Sequence, residues 1–285
     1  MAFLTSDIIY LVFLSLLFLL IIIGNVLVCV LFFKFRNLRT TTNYFIVSLA
    51  ASDIFVGLIP MPLWAYLKIM KEAPLNITPA IFVMLDVVTC CSSIGNLTAI
   101  SIDRFFGVTK PFHHRTYMTE NKALMAIVFV YMISIVFASV RTMLSIEYYT
   151  YFITGAGILF PILVIIVAYI SIFVTVKKRN VNNSDNVIKE WKLAKTIFVV
   201  IALFVICWAP FLSINLYYVI TFKEISEYLM NGAKWLQYFN SCVNPFVYAV
   251  FHEEFNKSFK IMLLKCTRNH NQIGINLPHV EQLRV

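Results

Sequence analysis

The sequence predicts an all-α membrane protein: a seven-transmembrane helix bundle followed by a short amphipathic eighth helix. Three observations predict it. Of 285 residues, 60% are hydrophobic and 13% charged, and the mean hydropathy is +0.83, so there is too little polar material to coat a soluble core of this size. Apolar runs of spanning length recur seven times, at about 8–33, 43–67, 79–107, 122–141, 150–176, 192–219 and 229–251. The charges gather in short clusters between the runs. The formal charge of +9 therefore reads as membrane topology rather than as a nucleic-acid surface.

The first run is too long for a signal-peptide core and lacks a small-residue cleavage site, so it reads as a retained helix. Lys34, Arg36 and Arg39 follow it; Lys110 and Arg115 follow the third run; Lys177, Lys178, Arg179 and Lys189 follow the fifth; Lys257, Lys260, Lys265 and Arg268 follow the seventh. The alternate connections hold only Lys68, Lys71, Arg141, Lys223 and Lys234. The positive-inside rule then places residues 1–7 outside, the bundle at 8–251 across the membrane and the C-terminus in the cytosol. All connections are short, and the one between the fourth and fifth runs has about ten residues around SIEYY. No internal repeat suggests a transporter built from duplicated halves, and no continuous polar pathway suggests a channel. Pro60, Pro62, Pro161, Pro210 and Pro245 fall inside runs, where each removes a backbone hydrogen bond and permits a kink.

The third run carries charge at both ends. From Asp86 to Arg104 is eighteen residues, five turns at about 3.6 residues per turn, so both side chains leave one helical face. They stand roughly 27 Å apart, near the thickness of a bilayer core. Ionisable groups in a spanning segment are costly and mark function. Asp53 is a mid-membrane carboxylate in the second run. With Ser93, Asn240 and Asn244 it can form an oxygen-lined site for a small hard cation. Cys29, Cys90, Cys91, Cys207 and Cys242 lie in apolar runs and Cys266 after the last, so no disulfide and no structural metal site is expected. No nucleophile–base pair or metal cluster points to an enzyme.

Residues 252–265, HEEFNKSFKIMLLK, place Phe255, Phe259, Met262 and Leu263 on one stripe of an amphipathic helix lying along the membrane. Cys266 at its end suits S-palmitoylation. Residues 266–285 read as a polar, disordered cytosolic tail. Asn76-Ile77-Thr78 is a formal glycosylation acceptor beside the membrane.

Gly24-Asn25 with Cys29, NYFIVSLAASD ending at Asp53, Asp103-Arg104-Phe105, Cys207-Trp208-Ala209-Pro210 and Asn244-Pro245 with Tyr248 resemble the motifs of rhodopsin-like (class A) G-protein-coupled receptors. Pro161 with Tyr169 matches the fifth-helix pattern. The resemblance covers essentially the whole chain, in order, on separate helices. It implies a receptor that activates a heterotrimeric G protein, engages arrestin and holds an allosteric sodium ion at Asp53, Ser93, Asn240 and Asn244. No other cofactor is implied. Asp103, Arg104, Phe112, Tyr169, Glu190, Phe204, Trp208, Pro210, Pro245 and Tyr248 match the family's switch and G-protein-contact positions, with Glu190 as the ionic partner of Arg104.

Asp86 resembles the aspartate that pairs with the ammonium of biogenic and trace amines, here with Tyr238 as its hydrogen-bond partner and Trp208, Phe211 and Trp235 as a cation–π cage. Val87, Cys90, Thr154, Gly157, Leu212 and Asn215 complete the implied pocket. The second cytosolic loop, with Phe112, resembles adrenergic and related amine receptors and implies a rise in cAMP. There are three departures from the family pattern. Pro79 stands where most members have a disulfide cysteine, and only Thr154 among Ile153, Thr154 and Gly157 can hydrogen-bond a catechol. Tyr131 replaces the usual fourth-helix tryptophan. A nucleoside, lipid or short peptide is the alternative ligand. A light sensor would need a lysine at the position of Tyr238, and Lys234 lies one turn away.

Overall fold

The computed structural model describes residues 5–70, 77–178 and 185–271, and it is helical throughout the membrane-sized segments. Helix α1 is Thr5–Lys34. The second span is two helices, α2 (Thr41–Leu58) and α3 (Pro60–Met70), because Pro60 cannot continue the ladder and Ile59 leaves helical geometry. Helix α4 (Ile77–Thr109) is the third span, and α5 (Pro111–Tyr117) is a short helix of 7 residues that follows it. Helix α6 (Glu120–Ser139) is the fourth span. The fifth begins as α7 (Ile146–Phe152), widens into a π-helical stretch over Ile153–Leu159, and continues as α8 (Phe160–Lys178). Pro161 explains the widening: its ring crowds the carbonyl one turn earlier, and the wider turn relieves the clash. Helices α9 (Asp185–Thr221), α10 (Glu227–Phe251) and α11 (Glu253–Asn271) complete the chain, with Pro210 and Pro245 inside α9 and α10.

Among the described residues, six of the spans are long and apolar enough to cross a membrane by length and composition. The seventh, α10, spans 25 residues but is too polar to stand with them, because Asn231, Lys234, Gln237, Asn240, Ser241 and Asn244 are all buried on its inner side. The bundle is arranged as a membrane solvent demands. Phe129, Met125, Phe173, Ile206 and Val250 stand exposed on the outside, whereas Asn25, Asp53, Asn96 and Ser101 are fully buried inside. Helix α4 packs against α2, α6, α8 and α9, which puts the Asp86–Arg104 segment at the centre of the bundle.

Two glycines set helix spacing. A Cβ on Gly24 would lie 2.9 Å from Pro245 Cγ, so α1 and α10 meet backbone to ring, with Asn25 Nδ2 donating across to Ser241 O at 3.0 Å. A Cβ on Gly95 would lie 2.7 Å from Val130 Cγ1, at the contact of α4 and α6. Gly95→Ala is expected to overpack that contact, destabilising the protein by about 1–3 kcal/mol. A lower melting temperature for the detergent-solubilised variant, recovered when Val130→Ala is added, is the expected result. Beside this contact, Tyr131 donates to Ser48 O at 3.0 Å and pairs with Ser52 Oγ at 2.8 Å. The tyrosine at the departed fourth-helix position therefore ties α6 to α2 through its hydroxyl.

Several sequence expectations are corrected. The amphipathic helix does not stop at 265 but runs to Asn271, and Leu263 is exposed while Phe255 is fully buried against the bundle. The link between the fourth and fifth spans is shorter than ten residues, since α7 begins at Ile146. Lys234 is not a loop charge; it is buried inside α10. The cysteines Cys29, Cys90, Cys91, Cys207 and Cys242 are free thiols. Asn76 lies outside the described residues, and so do the side chains of Glu190 and Cys266. At the junction of α10 and α11, burial pushes the His252 imidazole pKa down to about 4, helped by the nearby Arg104 guanidinium, so the ring is neutral near pH 7.

Candidate functional site

The face of α4 carries three polar centres, and each meets a different set of helices. At the first, Asp86 is buried and both its carboxylate oxygens are occupied. Lys234 Nζ donates to Oδ2 at 2.8 Å, and Gln237 Nε2 donates to Oδ1 at 2.8 Å. Lys234 is 1% exposed. Its ammonium lies 4.1 Å from the centre of the Phe211 ring, 4.8 Å from Phe82, 5.4 Å from Trp64 and 5.9 Å from Tyr238. A carboxylate plus aromatic faces is what an ammonium needs once water is removed. The site is thus built for a cation, and the chain's own lysine sits in it.

The residues expected around Asp86 are partly redistributed. Tyr238 lines the ammonium with its ring, but its buried hydroxyl makes no hydrogen bond to Asp86; Gln237 takes that role. Trp235 does not join the cage. It packs on α1, with ring centres 5.4 Å from Tyr10 and 4.7 Å from Phe13. Trp64 Nε1 donates to Tyr10 at 2.6 Å, and Lys68 sits over the Tyr10 ring and pairs with Glu227 at 3.4 Å, so this cluster fastens α1, α3 and α10 at the Asp86 end. Phe211 stands edge-on to Trp208 at 6.2 Å, and Trp208 stacks on Phe204 at 5.6 Å. A row of rings therefore leads from the ammonium toward the bundle centre. Val87 is half-buried and Cys90 buried on the same helix; Gly157 packs toward Cys91; Thr154 and Leu212 are half-buried. Asn215 donates to Phe211 O of its own helix at 2.7 Å.

At the second centre, Asn244 Nδ2 donates to Asp53 Oδ2 at 2.8 Å. Asp53 Oδ1, Asn240 Oδ1, Asn244 Oδ1 and Asn96 Oδ1 are buried oxygens without hydrogen-bond partners, and Ser93 is buried. A buried carboxylate with one unpaired oxygen, bonded to an Asn244 whose own oxygen is also unpaired, has the donor chemistry that suits a hard cation.

The third centre is at the other end of α4. The Asp103 carboxylate is completely buried and accepts from Thr42 Oγ1 at 2.6 Å and from Arg104 Nε at 3.1 Å, while His114 Nε2 pairs with its other oxygen at 2.6 Å. Arg104 also donates to Thr42 and is 4% exposed. Tyr169 packs on Phe198, and Tyr248 is fully buried against Phe255. Phe112, at the start of α5, projects with 87% of its surface exposed.

Four residues were missed by sequence reasoning: Lys234, Gln237, His114 and Thr42. Lys234 and Gln237 carried a signal, since they are three apart and fall in step with Ser241 and Asn244 on the polar stripe of α10. His114 and Thr42 reach Asp103 only through tertiary packing.

Seven membrane-sized helical segments therefore surround three polar centres that all involve the central helix α4. The chain belongs to the rhodopsin family of seven-transmembrane receptors, whose pattern it matches over residues 24–147 and 140–248. It is similar to the alpha-1A adrenergic receptor of Oryzias latipes, with 27% identity over 87% of this chain and 65% of that protein. The histamine H2 receptor of Cavia porcellus shows 28% identity over 91% of this chain and 80% of that protein. The D(1)-like dopamine receptor of Takifugu rubripes shows 29% identity over 88% of this chain and 69% of that protein.

Proposed function

We propose that the chain is a plasma-membrane receptor that binds a small ammonium-bearing ligand at Asp86 and activates a heterotrimeric G protein, raising cAMP. The observation that carries the reading is the ammonium-stabilising site itself, a buried carboxylate with aromatic faces around it. Relatives named for adrenaline-type, histamine and dopamine ligands support the ligand class. Agonist binding need only favour one of two helix packings by a few kcal/mol to shift the population. The row Phe211, Trp208, Phe204 supplies a packed path from the site into the core, and Arg104 with exposed Phe112 supplies the G-protein face. Arrestin would use the same face, and Cys266 would add a lipid anchor. The clusters of Lys and Arg support an outside N-terminus and a cytosolic C-terminus, more strongly once Lys234 leaves the count of outer charges. Asp53, Ser93, Asn240 and Asn244 would hold sodium as a structural counter-charge.

The test is a cAMP assay in cells expressing the receptor at the surface, against a panel of amines. A concentration-dependent rise with at least one amine is expected. Calcium release without a cAMP change would refute the coupling, and amine responses unaffected by Asp86→Asn would refute the site.

A further inference from the structure

Resting on the amine reading, the pairing of Asp86 with Lys234 narrows the ligand class. We infer that the receptor's ligand is a zwitterion of the amino-acid type, whose ammonium takes Asp86 and whose carboxylate takes Lys234. The argument is charge conservation in a water-poor site. Asp86 and Lys234 together are neutral, and both are buried. A simple amine that captured Asp86 would strand the Lys234 ammonium, because Asp86 is the acid that pairs with it among the described residues. An isolated buried ammonium is costly, and Lys234 cannot retreat to water from its place between Phe82 and Phe211. A ligand carrying both charges parts the pair and leaves each member satisfied, with no net charge added.

A second observation points the same way. Gln237 bonds Asp86 with its amide nitrogen, and its Oε1 is buried without a partner. The Tyr238 hydroxyl, on a ring centred 5.9 Å from the Lys234 ammonium, is also buried and unpaired. An acceptor on the amide that bonds Asp86 and a hydroxyl on a ring facing Lys234 therefore remain unpaired, the acceptor suited to an ammonium hydrogen and the hydroxyl to a carboxylate oxygen. The site has unspent polar groups of both kinds, which a monoamine with an apolar body would leave unmade.

Matched pairs differing only in the carboxylate test this: histidine against histamine, and phenylalanine against 2-phenylethylamine, read as cAMP in cells expressing the receptor. In the wild-type receptor, the acid-bearing member of at least one pair is expected to act at tenfold or more lower concentration than its amine. Lys234→Met is expected to remove that advantage by tenfold or more. The doubly neutral Asp86→Asn/Lys234→Met variant leaves no buried charge unpaired; it is expected to reach the surface and to respond to neither member. Wild-type responses to the amines that equal or exceed those to the amino acids in every pair would overturn the zwitterion and leave the amine reading standing. Responses that persist unchanged in Asp86→Asn would overturn the amine reading itself.

Discussion

Asp86→Asn shifts the response to any ammonium-bearing agonist to about 100-fold higher concentration or abolishes it. The carboxylate is buried and supplies charge-assisted hydrogen bonds, and neutralising one partner of such a pair costs about 3 kcal/mol, roughly a hundredfold in affinity. The same change leaves Lys234 as an uncompensated buried cation, which is strongly destabilising in its own right. The single variant therefore also loses surface expression. Adding Lys234→Met separates the two effects, because it removes the stranded charge while leaving Asn in place of the carboxylate. Surface labelling recovers in the double variant and the agonist response does not. Measuring expression and concentration–response curves on the same cells distinguishes a folding loss from a recognition loss.

Asp103→Asn raises basal signalling by about tenfold. In the structure Asp103 gathers Arg104, Thr42 and His114 around one buried carboxylate. Hydrogen bonds to a charged group contribute about 1.5–3 kcal/mol each, so neutralising the carboxylate weakens the packing that keeps Arg104 folded in. A change of about 1.4 kcal/mol between two packings moves their ratio tenfold. His114→Ala removes one contact of the set and raises basal activity by a smaller factor, about threefold. Arg104→Ala silences signalling in both backgrounds if Arg104 is the group handed to the G protein. Agonist-free nucleotide exchange on purified G protein checks all three.

The bundle was legible in the sequence because a spanning helix needs no tertiary information; its length and apolarity follow from the solvent around it. The seventh span was legible in the same way. It reads as a seventh apolar run, and the structure shows it to be more polar than the other six, with Asn240, Ser241 and Asn244 buried along it. Rotation and depth were harder. Lys234 near a helix end reads equally well as a flanking charge or an inward one, and only the burial of Gln237 and Tyr238 three and four residues later decides it. Trp235 follows from the same choice. Neighbouring residues on a helix point about 100° apart, so turning Lys234 inward sends Trp235 to Tyr10 and Phe13. The site at Asp86 was therefore found by its acid, while its occupant reads as a flanking charge although it falls in step with Ser241 and Asn244 on the polar stripe of α10.

The most direct test of an ammonium-gated receptor is agonist-stimulated GTP binding by a purified stimulatory G protein beside the receptor in lipid nanodiscs. The account predicts stimulation by an ammonium-bearing agonist in the wild-type protein and none in Asp86→Asn/Lys234→Met at equal receptor density. Equal stimulation of the two proteins by that agonist would contradict it.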